Sequence, residues 1–137
     1  MPKVFACGIS WGGHNLSYFS IFKEKNVAIL GSYNKGIENF SKLELEDFIA
    51  AKDGHKIIAI GKVNSEVKEF VTWHDYASED EAKKFGFNLD DEIHAVSIKY
   101  WHILDKYIEY QTQAGGFFIH KENIINNIIN IYNNRLE

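Results

Sequence analysis

Three aromatic residues, Trp11, Tyr33 and Trp73, stand in polar, loop-like stretches just after apolar runs. Aromatic rings that leave the core for loops offer stacking surfaces to flat ligands. Each ring alone also reads as a core or rim anchor. Ser10, Asn15, His74 and Asp75 lie beside them, and such polar groups can read the edge of a base. In "GISWGGHNLSYF" (8–19) two glycines follow Trp11 and would let backbone approach a ligand closely. Lys35, Lys52, Lys56 and Lys62 flank the same strand ends and are candidates for phosphate contacts, with ordinary surface solvation as the other reading.

Catalytic patterns are missing from the sequence. The six histidines never fall at His-x-x-x-His or His-Glu-x-x-His spacing, so no zinc site is expected. There is no nucleophile elbow and no phosphate loop. Asp90 and Asp91 are adjacent in sequence, which parts their side chains. The single cysteine, Cys7, sits in an apolar run, excluding a disulfide framework and reading as a buried thiol. No cofactor is expected.

The elements that must position these residues are short. "KVFACGI" (3–9), "VAILGS" (27–32) and "EIHAVSIKYWHIL" (92–104) read as strands, and "GGFFI" (115–119) as a glycine-hinged apolar piece. "NLSYFSIFKEKN" (15–26) reads as a helix capped by Asn15, with 33–39 a loop. Ser41 and Glu44 form a capping-box pattern, as do Ser78 and Glu81 ahead of a polar helix over 78–85. Asp53-Gly54 joins two strand-like runs and predicts a tight type I′ hairpin. "KENIINNIINIYNN" (121–134) places Ile124, Ile125, Ile128, Ile129 and Tyr132 on one helical face. The expected class is α+β: a curved mixed sheet of five or six strands, or a small open barrel, with peripheral helices.

The chain has 137 residues, 45% hydrophobic and 15% aromatic, with a net charge of -4. That length predicts one domain over 1–135, with Leu136-Glu137 reading as a vector scar. The acidity argues against a broadly basic nucleic-acid surface but leaves room for a local strip. No leader and no apolar run of membrane-spanning length is apparent, so a cytoplasmic location is expected.

"LELEDFIAAKDGHKIIAIGKVNSE" (43–66) resembles a stretch of the EVE domains, relatives of YTH domains in the PUA superfamily, and "HAVSIKYWHIL" (94–104) resembles their later strand. Among such domains it resembles the N-terminal specificity domain of McrB-type restriction subunits. The resemblance covers most of residues 3 to 104. It implies a PUA-like fold and a non-enzymatic reader that flips a modified base of DNA, or of RNA, into an aromatic cage. Ser10, Trp11, Tyr33 and Trp73 then fall at cage positions, although Tyr stands at 33 where the family has Trp. It also implies partners: an AAA+ GTPase domain downstream and an endonuclease subunit. Two other classes remain open. One is a small-ligand or protein-interaction module of the same fold. The other is an ASCH-type ribonuclease, which needs a lysine, tyrosine and arginine cluster in a chain whose only arginine is Arg135.

Overall fold

The computed structural model describes residues 2–9, 18–110 and 116–135. The fold is mixed α+β, and its sheet curls strongly into a half barrel. Among the described residues seven strands build it: β1 (Val4–Gly8), β2 (Val27–Gly31), β3 (Phe48–Asp53), β4 (Lys56–Val63), β5 (Lys68–Thr72), β6 (Glu92–Glu109) and β7 (Gly116–Phe118). The order is β2-β6-β4-β3-β1-β7, with β5 on β6 as well. Only β1 and β3 run parallel. The described residues also form four α-helices: α1 (Phe19–Lys25), α2 (Ile37–Ser41), α3 (Glu79–Phe85) and α4 (Glu122–Asn133).

β6 dictates the curl. Its 18 residues would run about 60 Å if straight, at a rise of about 3.3 Å each, more than a domain of this size can span. The register with β4 therefore shifts twice, between Ile57 and Ala59 and between Gly61 and Val63. β4 and β5 follow one another along the same edge of β6. The gap between them is bridged where Ser97 N–H donates to Ser65 Oγ at 3.0 Å.

A curled sheet needs apolar residues on both faces, and the strands supply them at period two. On β1, Phe5 and Cys7 enter the inner core while Val4 and Ala6 enter the outer one. On β3, Ile49 and Ala51 face in and Phe48 and Ala50 face out. α4 covers the outer face with Ile128 and Tyr132 buried, as its apolar spacing predicts. Cys7 Sγ–H donates to the Ile29 carbonyl at 3.6 Å, so β1 and β2 approach across the interior. Burial pushes the thiol up to about 12 from 9.0. Cys7 should resist a thiol reagent at about pH 8 until the protein is unfolded. The linked stability is fully present below pH 9 and falls as pH rises toward 12, which a melting series would show.

Several local expectations changed. The hairpin exists, but Asp53 pairs with Lys56, so Gly54-His55 forms the turn. Gly54 has φ +63 and His55 does not share a positive φ, the pattern of type II′ rather than I′. The Ser78–Glu81 capping box is complete in both directions. The one expected at Ser41 and Glu44 is not formed. Ser41 ends α2, and Glu44 N–H donates to Asp47 Oδ2 at 2.9 Å, which folds 44–47 as a turn. α2 occupies part of the stretch read as a loop. α1 begins at Phe19, with Tyr18 in the cap position and no side-chain capping bond. Asn15 lies outside the described residues. β6 runs five residues beyond its expected end, and β5 was not anticipated. Among the described residues, no helix is long and apolar enough to cross a membrane.

Candidate functional site

Among the described residues, Trp73 does not stand open as a cage wall. Ser10, Trp11 and Asn15 lie outside the described residues. Trp73 is only 2% exposed. It opens a single 3-10 turn (Trp73–Asp75) after β5, and its ring stacks on Phe87 at 4.1 Å and 20°. Tyr18 leans on it at 6.0 Å. These contacts are those of a core anchor. His74 and Asp75 are exposed; His74 Nε2 meets Asp90 Oδ1 at 2.7 Å, beside a shallow cleft of about 380 Å³ that Phe87 also lines.

The four lysines are also dispersed. Lys52 is buried, with its ammonium 5.6 Å from the centre of the Phe117 ring. Burial pulls that ammonium below the usual lysine range, so Lys52 is not presented to a phosphate. Lys62, near the other end of the hairpin, pairs with Glu46 at 2.6 Å. Lys56 stays exposed over the Tyr107 ring, and Lys35 is exposed two residues after Tyr33.

Among the described residues, Tyr33 is the expected stacking ring that the fold displays. Its side chain is 81% exposed, yet its hydroxyl donates to Glu92 Oε1 at 2.7 Å. That bond, and then the carboxylate charge, raise the phenol above its ordinary range. The ring is thus held out on a fixed stem.

A second displayed ring, Phe70, was missed. It is 56% exposed and sits in the bulge where β5 slips against β6 between Lys68 and Val71. Its φ is +51, a left-handed conformation rare for a bulky residue, costing of order 1–3 kcal/mol. Buried His94 holds it there. Phe70 N–H donates to His94 Nδ1 at 3.4 Å, and the two rings meet edge to face at 4.7 Å. Ser32 Oγ lies 2.9 Å from the same nitrogen. A backbone N–H can only donate, so Nδ1 is an acceptor and the serine hydroxyl donates to it as well. The imidazole proton is thereby assigned to Nε2, which faces Glu69 Oε2 at 3.6 Å.

Three adjacent strands carry this rim. Leu30 pairs with His94, Glu92 with Thr72, and Ser32 and Tyr33 follow β2 directly. A polar knot of buried Ser32 and His94, closed by the exposed Glu69, adjoins the two displayed aromatic rings. "VKEFVT" offered one hint, an aromatic between charged and β-branched residues. The positive φ that exposes it comes from His94, 24 residues away.

Arg135 is remote from this rim. Its guanidinium lies over Tyr132 at 3.7 Å and Tyr100 at 5.1 Å, at the end of α4. Among the described residues, no three His, Cys, Asp or Glu side chains converge as metal ligands. No family model matches this chain, and no curated protein matches it.

Proposed function

We propose that the protein is a binding module rather than an enzyme, and that its ligand is a modified nucleic-acid base received at the Tyr33–Phe70 rim. The observation that carries this reading is Phe70. A bulky residue held at positive φ, with its ring turned to solvent, is strain that the buried His94 knot maintains. Stacking of a flat ligand would use both the exposure and the rigidity. The sequence resemblance of residues 43–66 and 94–104 to EVE domains, which implies a base flipped from DNA, suggests the ligand class. The rim has Glu69 and Glu92 beside it, and Lys35 and Lys68 are its nearest lysines in sequence, so two carboxylates offset two ammonium groups. Phosphate contacts would therefore contribute little, and a flipped or unpaired base is favoured over a clamped duplex.

The test pairs two variants. Tyr33→Ala removes one ring. Phe70→Gly removes the other and also relieves the φ, so its melting temperature should stay level or rise. Each should weaken binding of oligonucleotides containing 5-methylcytosine or N6-methyladenine by about 1–3 kcal/mol, measured by anisotropy on single and double strands. Unchanged affinity in both variants, with the fold intact, would remove the rim from recognition. A preference for free nucleosides over oligonucleotides would move the protein to the small-ligand class.

A further inference from the structure

β5 has a neighbour on one side only. β6 pairs with it, while the position that β3 would occupy on its other side is vacant among the described residues. The reason is visible in the chain. β3 and β4 pair from Asp53–Lys56 to Phe48–Lys62, and Val63 N–H donates to the Asp47 carbonyl at 2.8 Å. Upstream of Asp47 the chain turns, locked by Asp47 accepting from Glu44 N–H, instead of continuing along β5. A groove of about 540 Å³ opens where the missing strand would lie, between the segment after α2 and the start of β5. Leu43, Leu45 and Val67 line it together with Glu44, Glu66 and Glu69. Leu45 is 58% exposed.

We infer that this groove receives an extended basic peptide, which adds to β5 as a strand. The vacant strand position supplies the geometry for main-chain pairing. Leu45 and Val67 offer contact to alternate apolar side chains, over a floor formed by the buried Leu43. The three glutamates set the sign of the intervening residues: lysine or arginine complements them, whereas acidic peptides and nucleic acid are repelled. Lys3, 4.0 Å from Glu44 and also paired with Asp47, is the cation bonded to this wall. The site does not rest on the Tyr33–Phe70 reading: the two adjoin at Glu69, yet the peptide is held by the open edge of β5 and the groove, and the base by the displayed rings.

The probe is a fluorescein-labelled heptapeptide alternating lysine with leucine and valine, titrated by anisotropy against the intact chain. Saturable binding is expected, with at least a tenfold loss when glutamates replace the lysines. A similar loss is expected when alternate backbone amides are N-methylated, because strand addition needs those N–H groups. Glu44→Lys combined with Glu66→Lys should also cost at least tenfold. Leu45→Ser is a milder variant that keeps the test valid if the charge reversal unfolds the protein; it should weaken binding several-fold. Amide exchange over residues 66–69 should slow in the complex. Absence of saturable binding overturns the proposal, as does affinity indifferent to N-methylation, to charge reversal or to Leu45→Ser. A single-stranded oligonucleotide that competes for the groove also overturns it.

Discussion

Trp73→Ala should lower stability by about 3–5 kcal/mol, the cost of emptying a buried aromatic site. For a domain of this length that corresponds to a fall in melting temperature of roughly 10–20 °C. The size follows from what the ring holds together. Trp73 ends the β5 line and stacks on Phe87, which follows α3. Tyr18 packs on Trp73, Phe85 and Phe87 at 6.0, 5.5 and 5.8 Å, and its hydroxyl donates to the Phe85 carbonyl. Ile9 accepts from Tyr18 N–H at 2.7 Å, so the end of β1 is tied to the same cluster. Removing the indole would uncouple β1, α1, α3 and β5 at once. A cage wall would behave differently: the variant would melt near wild type and lose only the modified oligonucleotide. That outcome would return Trp73 to the binding surface and make its burial a property of the unliganded state.

The contrast between Trp73 and Tyr33 shows where sequence reading stops. Both follow a strand within polar neighbours, and locally they look alike. Phe87 and Tyr18, far along the chain, fill the space over one; the space over the other stays open. Local codes with a complete partner set within four residues were legible. The Ser78–Glu81 box formed in both directions. The α4 stripe packs against the outer core, and Gly54 takes its positive φ in the hairpin turn. Codes that compete with an equally local alternative failed. Ser41 and Glu44 carry a capping pattern, but Asp47 offers its carboxylate to the same Glu44 N–H and wins. α2, with five residues, is too short to show a period. β5 has three exposed residues followed by two half-buried ones and a bulge, so it lacks the alternation that marks a strand. The candidate site was legible by half. Tyr33 was in view, whereas Phe70 owes its place to a backbone twist that only His94 and Ser32 explain.

Gly36→Ala should cost at least about 3 kcal/mol, at or above the upper end for overpacking a well-filled interior, and should lower the melting temperature by about 10 °C or more. Gly36 precedes α2 with φ −87, which any residue adopts, so space rather than backbone freedom selects glycine here. A Cβ at this position would drive into the carbonyl oxygen of Gly116 on β7. β7 cannot yield, because a Cβ on Gly116 would itself come within 2.5 Å of Phe5 Cζ. Phe5 is held edge-on by Phe40 and Phe118, each at 5.5 Å. The two glycines thus meet where α2, following one edge strand of the sheet, reaches the other edge strand and completes the curl. Gly36 is also tied to the rim, since its N–H donates at 2.8 Å to Asn34 Oδ1, one residue after Tyr33. A displaced α2 would shift both Tyr33 and the Ser41–Leu45 wall of the groove. Gly36→Ala should therefore weaken base and peptide binding together at temperatures where it remains folded, whereas Tyr33→Ala, outside β5 and the groove, should affect base binding alone. Wild-type melting of Gly36→Ala would show that α2 lifts from β7 without penalty, and the contact between the two glycines would lose its role in closing the sheet.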